Sequence, residues 1–184
     1  MDMLRERCGR LLYDSGLFGL LSRYGEPHPV GSYVMNVMEA RDLDIDVIND
    51  GMSDAKLYEL TSLLLGIYHP SWYEAKHEIT ADGKEVWFHG FEAVFEGEKW
   101  NVDIWFFDRD TINAAESFCD NIKRTLDASP PLREAVKTVK RELIGRGLYS
   151  FDKYTSMDVY DAVLKHGAAT ADDVISLKEA RVQA

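Results

Sequence analysis

Asp42, Asp44 and Asp46 occupy every second position of a short stretch, with Leu43, Ile45 and Val47 in alternation with them. On an extended strand successive side chains point to opposite faces, so the three carboxylates share one face and the three apolar groups share the other. Two readings follow. The row is either a wet edge strand whose charges deter aggregation, or a carboxylate platform for a cation. A fourth carboxylate bears on the choice. In "KWNVDIWFF", residues 99–107, Trp100, Val102, Ile104 and Phe106 alternate with Asn101, Asp103 and Trp105. Asp103 therefore lies inside a strand, on the face opposite the bulky hydrophobes. An unpaired carboxylate in such surroundings is expensive, which favours the platform.

The elements that must position these groups are legible on either side. Leu4, Cys8, Leu11, Leu12, Leu20 and Leu21 recur at helical spacing and predict one amphipathic helix over 3–23. Pro27 and Pro29 end it, and a short strand runs into Gly31. "RDLDIDVIND", residues 41–50, is the second strand, closed by an Asn49-Asp50-Gly51 turn. Ser53 or Asp54 caps a helix with a Leu57, Leu60, Leu64 and Ile67 stripe. "SWYEAKHEIT", "EVWFHGFEAVFEG" and "KWNVDIWFF" are strands joined by hairpin-like turns at "ADGK" and "GEK". From about residue 110 the pattern turns helical, with Pro130 and Pro131 opening one helix and Thr155-x-x-Asp158 and Thr170-x-x-Asp173 opening two more. The order predicts an α+β fold: a mixed β-sheet core with flanking helices over 1–108 and a helical C-terminal segment over 109–184.

Charge and composition set expectations about partners. The 184 residues carry 32 acidic and 21 basic side chains, a net charge of -11, which argues against a nucleic-acid partner because phosphate affinity comes from clustered Lys and Arg. Cys8 and Cys119 stand alone, as in a reducing compartment. No stretch approaches the ~20 apolar residues of a membrane span, so the expected location is cytoplasmic, with no membrane partner. His77 and His89 both lie on hairpin strands but lack ligand spacing. Trp72, Tyr73, Trp87, Phe88, Trp100 and Trp105 are expected to build the core and one wall of a cleft.

Taken together, a Gly31-Ser32 step, an eleven-residue gap, Asp44-Ile45-Asp46-Val47 and a later Asp103 in an apolar strand form a pattern. It resembles the signature of the nucleotidyltransferase superfamily whose best-known member is DNA polymerase beta, over residues 25–107. The helical remainder resembles that of small bacterial aminoglycoside, lincosamide and minimal nucleotidyltransferases. The resemblance implies Mg²⁺-dependent transfer of a nucleoside monophosphate from an NTP, with ATP first in line, to a hydroxyl of a small molecule or protein. Pyrophosphate leaves.

Asp44, Asp46 and Asp103 would be the catalytic carboxylates and hold two Mg²⁺ ions, which prefer all-oxygen surroundings. Gly31 would let the backbone approach a phosphate, Ser32 would donate its hydroxyl, and Arg41, the one cation of the intervening loop, would join them. Asp42-x-Asp44 also fits the pattern with a nine-residue gap. However, Leu43 before and Val47-Ile48 after make Asp44 and Asp46 the better buried-strand pair, leaving Asp42 as an outer helper. Arg133, Lys137 and Arg141, spaced by four with Lys140 alongside, offer a further cationic stripe. The alternative is a non-catalytic nucleotide-binding or protein-interaction module on the same fold, favoured by the scarcity of cations after Ser32.

Overall fold

The structure, a computed structural model, describes residues 3–49 and 51–182. Two compact units divide the chain, one up to Asn121 and one from Ile122 onward. In the first, helices α1 (Met3–Tyr13) and α2 (Leu17–Leu21) are followed by β1 (Pro27–Pro29), α3 (Gly31–Met35), β2 (Asp42–Ile48), α4 (Asp54–Tyr68), β3 (Trp72–Ile79), β4 (Glu85–Phe95) and β5 (Glu98–Phe107). Helix α5 (Arg109–Ala128) carries the chain onward to α6 (Pro130–Gly145), α7 (Ser156–His166) and α8 (Ala171–Val182).

The single helix expected over 3–23 is two helices. Gly16 between them adopts φ 86°, a left-handed conformation that glycine takes at no steric cost and that a continuous helix does not contain. Asp50 of the expected Asn49–Gly51 turn lies outside the described residues. Ser53 caps α4 by accepting from the Lys56 amide, and the Thr155–Asp158 capping box at α7 is reciprocal, as its spacing predicts.

The five strands form one mixed sheet in the order β1-β2-β5-β4-β3. Strand β2 runs antiparallel to β1 and parallel to β5; β4 is antiparallel to both β5 and β3. The aspartate-bearing strand is therefore internal, flanked on both sides, and not an edge. Glu96 (φ 50°) and Gly97 (φ 77°) close the β4–β5 hairpin in two residues. Positive φ at both positions is the geometry whose twist matches the flanking strands.

One face of this sheet makes the core. Leu43, Ile45, Val47, Val102, Ile104 and Phe106 are fully buried there, with Cys8, Leu11 and Leu12 of α1 and Leu57, Leu60 and Leu64 of α4 in the same cluster. Each fully buried Leu, Ile or Phe stabilises the fold by roughly 1.5–3 kcal/mol. The fold thus dedicates one face of β2 and β5 to packing and leaves the other for their polar residues. Cys8 and Cys119 are both free and buried.

His89 also lies on the core face and has no solvent exposure. Its Nδ1 sits 2.6 Å from the Tyr73 hydroxyl, which is 2.9 Å from Thr61. His77, two residues offset in register, instead stacks on Trp87 at 4.5 Å, so the two histidines do not meet. Burial pushes the His89 pKa down from 6.5 to about 4. Because the unfolded chain takes up this proton first, the group costs stability as pH falls from 6.5 towards 4 and costs nothing above that window. We predict that the stability difference between wild type and His89→Gln, measured by urea unfolding, shifts against wild type by roughly 3 kcal/mol between pH 7 and pH 4. A pH-independent difference would show that His89 takes up its proton in the fold as readily as in the unfolded chain.

Candidate active site

The parallel register of β2 and β5 sets Asp44 directly beside Asp103, and Asp42 beside Asn101. Because side chains alternate, Asp42, Asp44 and Asp103 point from the same face, and one carboxylate oxygen from each lies within 4.8 Å of the others. All three are partly buried. Asn101 Nδ2 donates to Asp42 Oδ1 at 2.7 Å and so orients one member. Burial, and then the nearby Asp42 charge, push the Asp103 carboxyl up to about 6. A half-buried cluster of hard oxygen donors that repel one another fits a divalent cation such as Mg²⁺, whose charge offsets that repulsion.

Asp46 does not join this group. It is only 6 % exposed and pairs across β1 with His28, while Trp105 is its neighbour on β5. His28 in turn bonds Glu116 of α5 at 2.7 Å. Burial raises the Asp46 carboxyl to about 6, with His28 lowering it and Glu116 raising it. The converging trio is therefore Asp42, Asp44 and Asp103, the arrangement with the nine-residue gap, and Asp46 sits one step further along the same face, enclosed with His28.

Gly31 is where the chain most needs a glycine. Its φ is 66°, and a Cβ on it would collide with the carboxylate of Asp44. The absent side chain lets the first turn of α3 lie directly against a metal-ligating candidate. Its amide faces the Cys119 thiol, partly opposing the burial that raises that group. Val30 donates to the Asp44 carbonyl at 3.0 Å, fixing the approach of this segment to β2. The stretch expected as a phosphate loop after Ser32 is thus a short helix, ended by Asn36 in a left-handed conformation with φ 57°.

Arg41 is engaged elsewhere. Its guanidinium is bidentate on Glu98 at 2.8 and 2.7 Å, and Arg7 reaches the same carboxylate at 2.6 Å. These contacts tie the start of β2 to β5 and α1. The cationic stripe of α6 is divided: Arg133 pairs with Asp127, while Lys140 is buried and donates to the Tyr160 hydroxyl at 3.0 Å. Sequence spacing alone could not separate these faces, because Lys140 follows Val136 and Val139 into the packed side of the helix.

The aromatic residues sort by face in the same way. Trp87 and Trp100 are core residues, whereas Trp105, Phe88 and Trp72 lie on the carboxylate face. Sequence reasoning missed Gly90, which stands opposite Asp103 and allows the rings of Phe88 and Trp72 to close over it. An isolated glycine within a strand pattern is the signal that marks such close approaches.

The sequence matches no protein-family model and no curated protein. Structural comparison does find relatives in shape. A cytoplasmic RNA terminal U-transferase superposes with a TM-score of 0.59 at 19% identity, over 89% of this chain and 48% of that one. The Cid1 poly(U) polymerase, in a form bound to MgATP, gives 0.61 at 18% identity over 85% and 48%. The non-canonical poly(A) polymerase in the GLD-2–GLD-3 complex gives 0.59 at 16% identity over 90% and 60%. The chain spans about half to three-fifths of the length of these proteins.

These matches overturn the exclusion of nucleic acid drawn from net charge, since proteins of this architecture are named for their action on RNA. Net charge averages over a whole surface, whereas an acceptor is held by a local patch. Among the described residues, no helix is long and apolar enough to cross a membrane. With its five-stranded mixed sheet, the chain shares its fold with these terminal transferases and polymerases.

Proposed function

We propose that this protein transfers a nucleoside monophosphate from an NTP, with ATP first in line, to an acceptor hydroxyl, releasing pyrophosphate with the help of Mg²⁺. The observation that carries the proposal is the convergence of Asp42, Asp44 and Asp103 within 4.8 Å, on this fold, beside Gly31, whose missing side chain leaves room for the Asp44 carboxylate. Those three carboxylates would hold the metal. Bound divalent ions neutralise triphosphate charge and polarise the reacting oxygens.

The remaining roles fall to the chain itself. Ser32, in the first turn of α3 beside Gly31, would donate its hydroxyl to a phosphate oxygen. Asn101 holds Asp42 in place. Burial raises the Asp103 carboxyl to about 6, and Asp103 is the member of the trio whose strand neighbours β4. It is therefore the group suited to accept the proton of the acceptor hydroxyl as that oxygen attacks. Positioning and charge neutralisation, with no covalent protein nucleophile, supply the rate.

RNA joins small molecules and proteins among the acceptors to be tried, because relatives of this fold are named for action on RNA. A second reading, a nucleotide-binding module without catalysis, draws on the engagement of Arg41 with Glu98. One experiment separates them. The melting temperature is measured with each NTP, with and without Mg²⁺, and pyrophosphate release is followed with each acceptor class. A ligand at about 100 times its dissociation constant adds roughly 2.7 kcal/mol of stability. We expect a Mg²⁺-dependent shift together with pyrophosphate release. A shift without release favours the binding module, and no shift with any NTP refutes both.

A further inference from the structure

The carboxylate face does not end at Asp103. Across the sheet, Asp103 pairs with Gly90 and Gly90 with Glu74. On one side of this row lie Trp72 and Glu92; on the other lie Lys76, Phe88 and Trp105. Trp72 is 44 % exposed although it sits beside the bare backbone of Gly90, where its Cζ3 comes within 3.1 Å of the place a Cβ would occupy. Trp72 thus stands on β3, two strand spacings or roughly 10 Å from β5, and its exposed indole leans over Gly90 of the intervening β4.

Two lysines flank this ring on the same face. Lys76 Nζ lies 5.3 Å from the ring centroids of both Phe88 and Trp105 and 3.0 Å from Glu78. Lys99 Nζ reaches Glu92 at 2.7 Å and is 59 % exposed. Glu74 lies between Trp72 and Lys76, and each lysine holds a carboxylate that a phosphate would have to replace. An exposed aromatic ring with lysines nearby has the chemistry that seats single-stranded nucleic acid: the ring stacks on a base, and the cations meet phosphates.

We propose that Trp72, Lys76 and Lys99 form the seat of the acceptor, and that the occupant is the 3′-terminal nucleotide of a single-stranded RNA. A base stacked on Trp72 brings its ribose towards Asp103, where the attacking hydroxyl must lie if the proposed reaction is right. The inference rests on that reaction only for this last step; the seat itself is a binding surface. Gly90 belongs to the design, because a side chain there would displace both rings from the row.

The test uses the full chain and a short 5′-labelled oligoribonucleotide, with binding read by fluorescence anisotropy across a salt series. Trp72→Ala should weaken binding about tenfold or more, the scale of losing one stacked base. Trp72→Phe should recover most of it. Replacing Lys76 and Lys99 by Ala together should flatten the slope of log K against log salt by about 1.4, the contribution of two single-strand phosphates. None of these variants should change the Mg²⁺-dependent NTP melting shift. Unaltered RNA binding in Trp72→Ala overturns the proposal, as does tighter binding of a cationic planar dye such as proflavine than of RNA. Loss of the NTP shift in Trp72→Phe would show a merely structural role and also overturns it. RNA binding that depends on Trp72 without any NTP shift in wild type would leave the seat standing and remove the reaction.

Discussion

Asp103→Asn should abolish the Mg²⁺-dependent melting shift with NTP and lower pyrophosphate release by about 10³-fold, the scale of removing one preorganised charged group from a reacting centre. The same substitution should raise the melting temperature of the ligand-free protein. The sign follows from its surroundings. Burial and the Asp42 charge lift the Asp103 carboxyl to about 6 from its ordinary 3.8, so the folded state disfavours the ionised form. Above pH 6 that cost is fully present, and it vanishes as pH falls below 3.8. Asparagine removes the charge and keeps the shape. The variant should therefore gain about 1–2 kcal/mol at pH 7.5, after allowance for partial exposure, and nothing near pH 3.5. Thermal melts of both proteins at the two pH values check this. A destabilised variant at pH 7.5 would mean that Asp103 is already compensated by protein groups and has no need of a cation.

Gly31→Ala carries the second large effect, and Gly16→Ala calibrates it. Both glycines have left-handed backbone, φ 66° and 86°, and a β-carbon at either pays the steric cost of that region, about 1–2 kcal/mol. At Gly16 nothing lies within 4 Å of the added atom, so the cost ends there. At Gly31 the added atom meets the Asp44 carboxylate, and either α3 or the carboxylate has to move. We expect Gly31→Ala to lose about 1–3 kcal/mol more than Gly16→Ala, in the range of other overpacked sites, and to lose the Mg²⁺-dependent NTP shift that Gly16→Ala keeps. Equal losses in the two variants, with the shift intact in both, would separate Gly31 from the carboxylate cluster.

What the sequence revealed, and what it withheld, can be traced to single residues. Alternation in "RDLDIDVIND" and "KWNVDIWFF" was enough to find β2 and β5 and to assign their polar faces, because period two is local. The mixed sheet and the helical remainder were likewise legible from periodicity and caps. Which aspartates converge was not, since it depends on the register between strands about sixty residues apart. Parallel pairing aligns Asp44 with Asp103, and the enclosure of Asp46 by His28 and Glu116 comes from β1 and α5, neither of which marks Asp46 in its own neighbourhood. The break at Gly16 was visible as two glycines in a helical pattern, but the leucine spacing across it outweighed them. Arg41 looked like the loop's one available cation until Glu98, on a distant strand, was brought to it. The charge argument failed for a related reason: a total of -11 says nothing of where Lys76 and Lys99 stand.

The central claim is that Asp42, Asp44 and Asp103, without Asp46, form the metal centre. Mn²⁺ reports on this directly, since its electron paramagnetic resonance signal broadens on binding. Titration in the presence of ATP should show binding to wild type and to Asp46→Asn with similar affinity. Asp42→Asn, Asp44→Asn and Asp103→Asn should each weaken it at least tenfold. Retention of Mn²⁺ by Asp42→Asn, together with its loss from Asp46→Asn, would contradict the account.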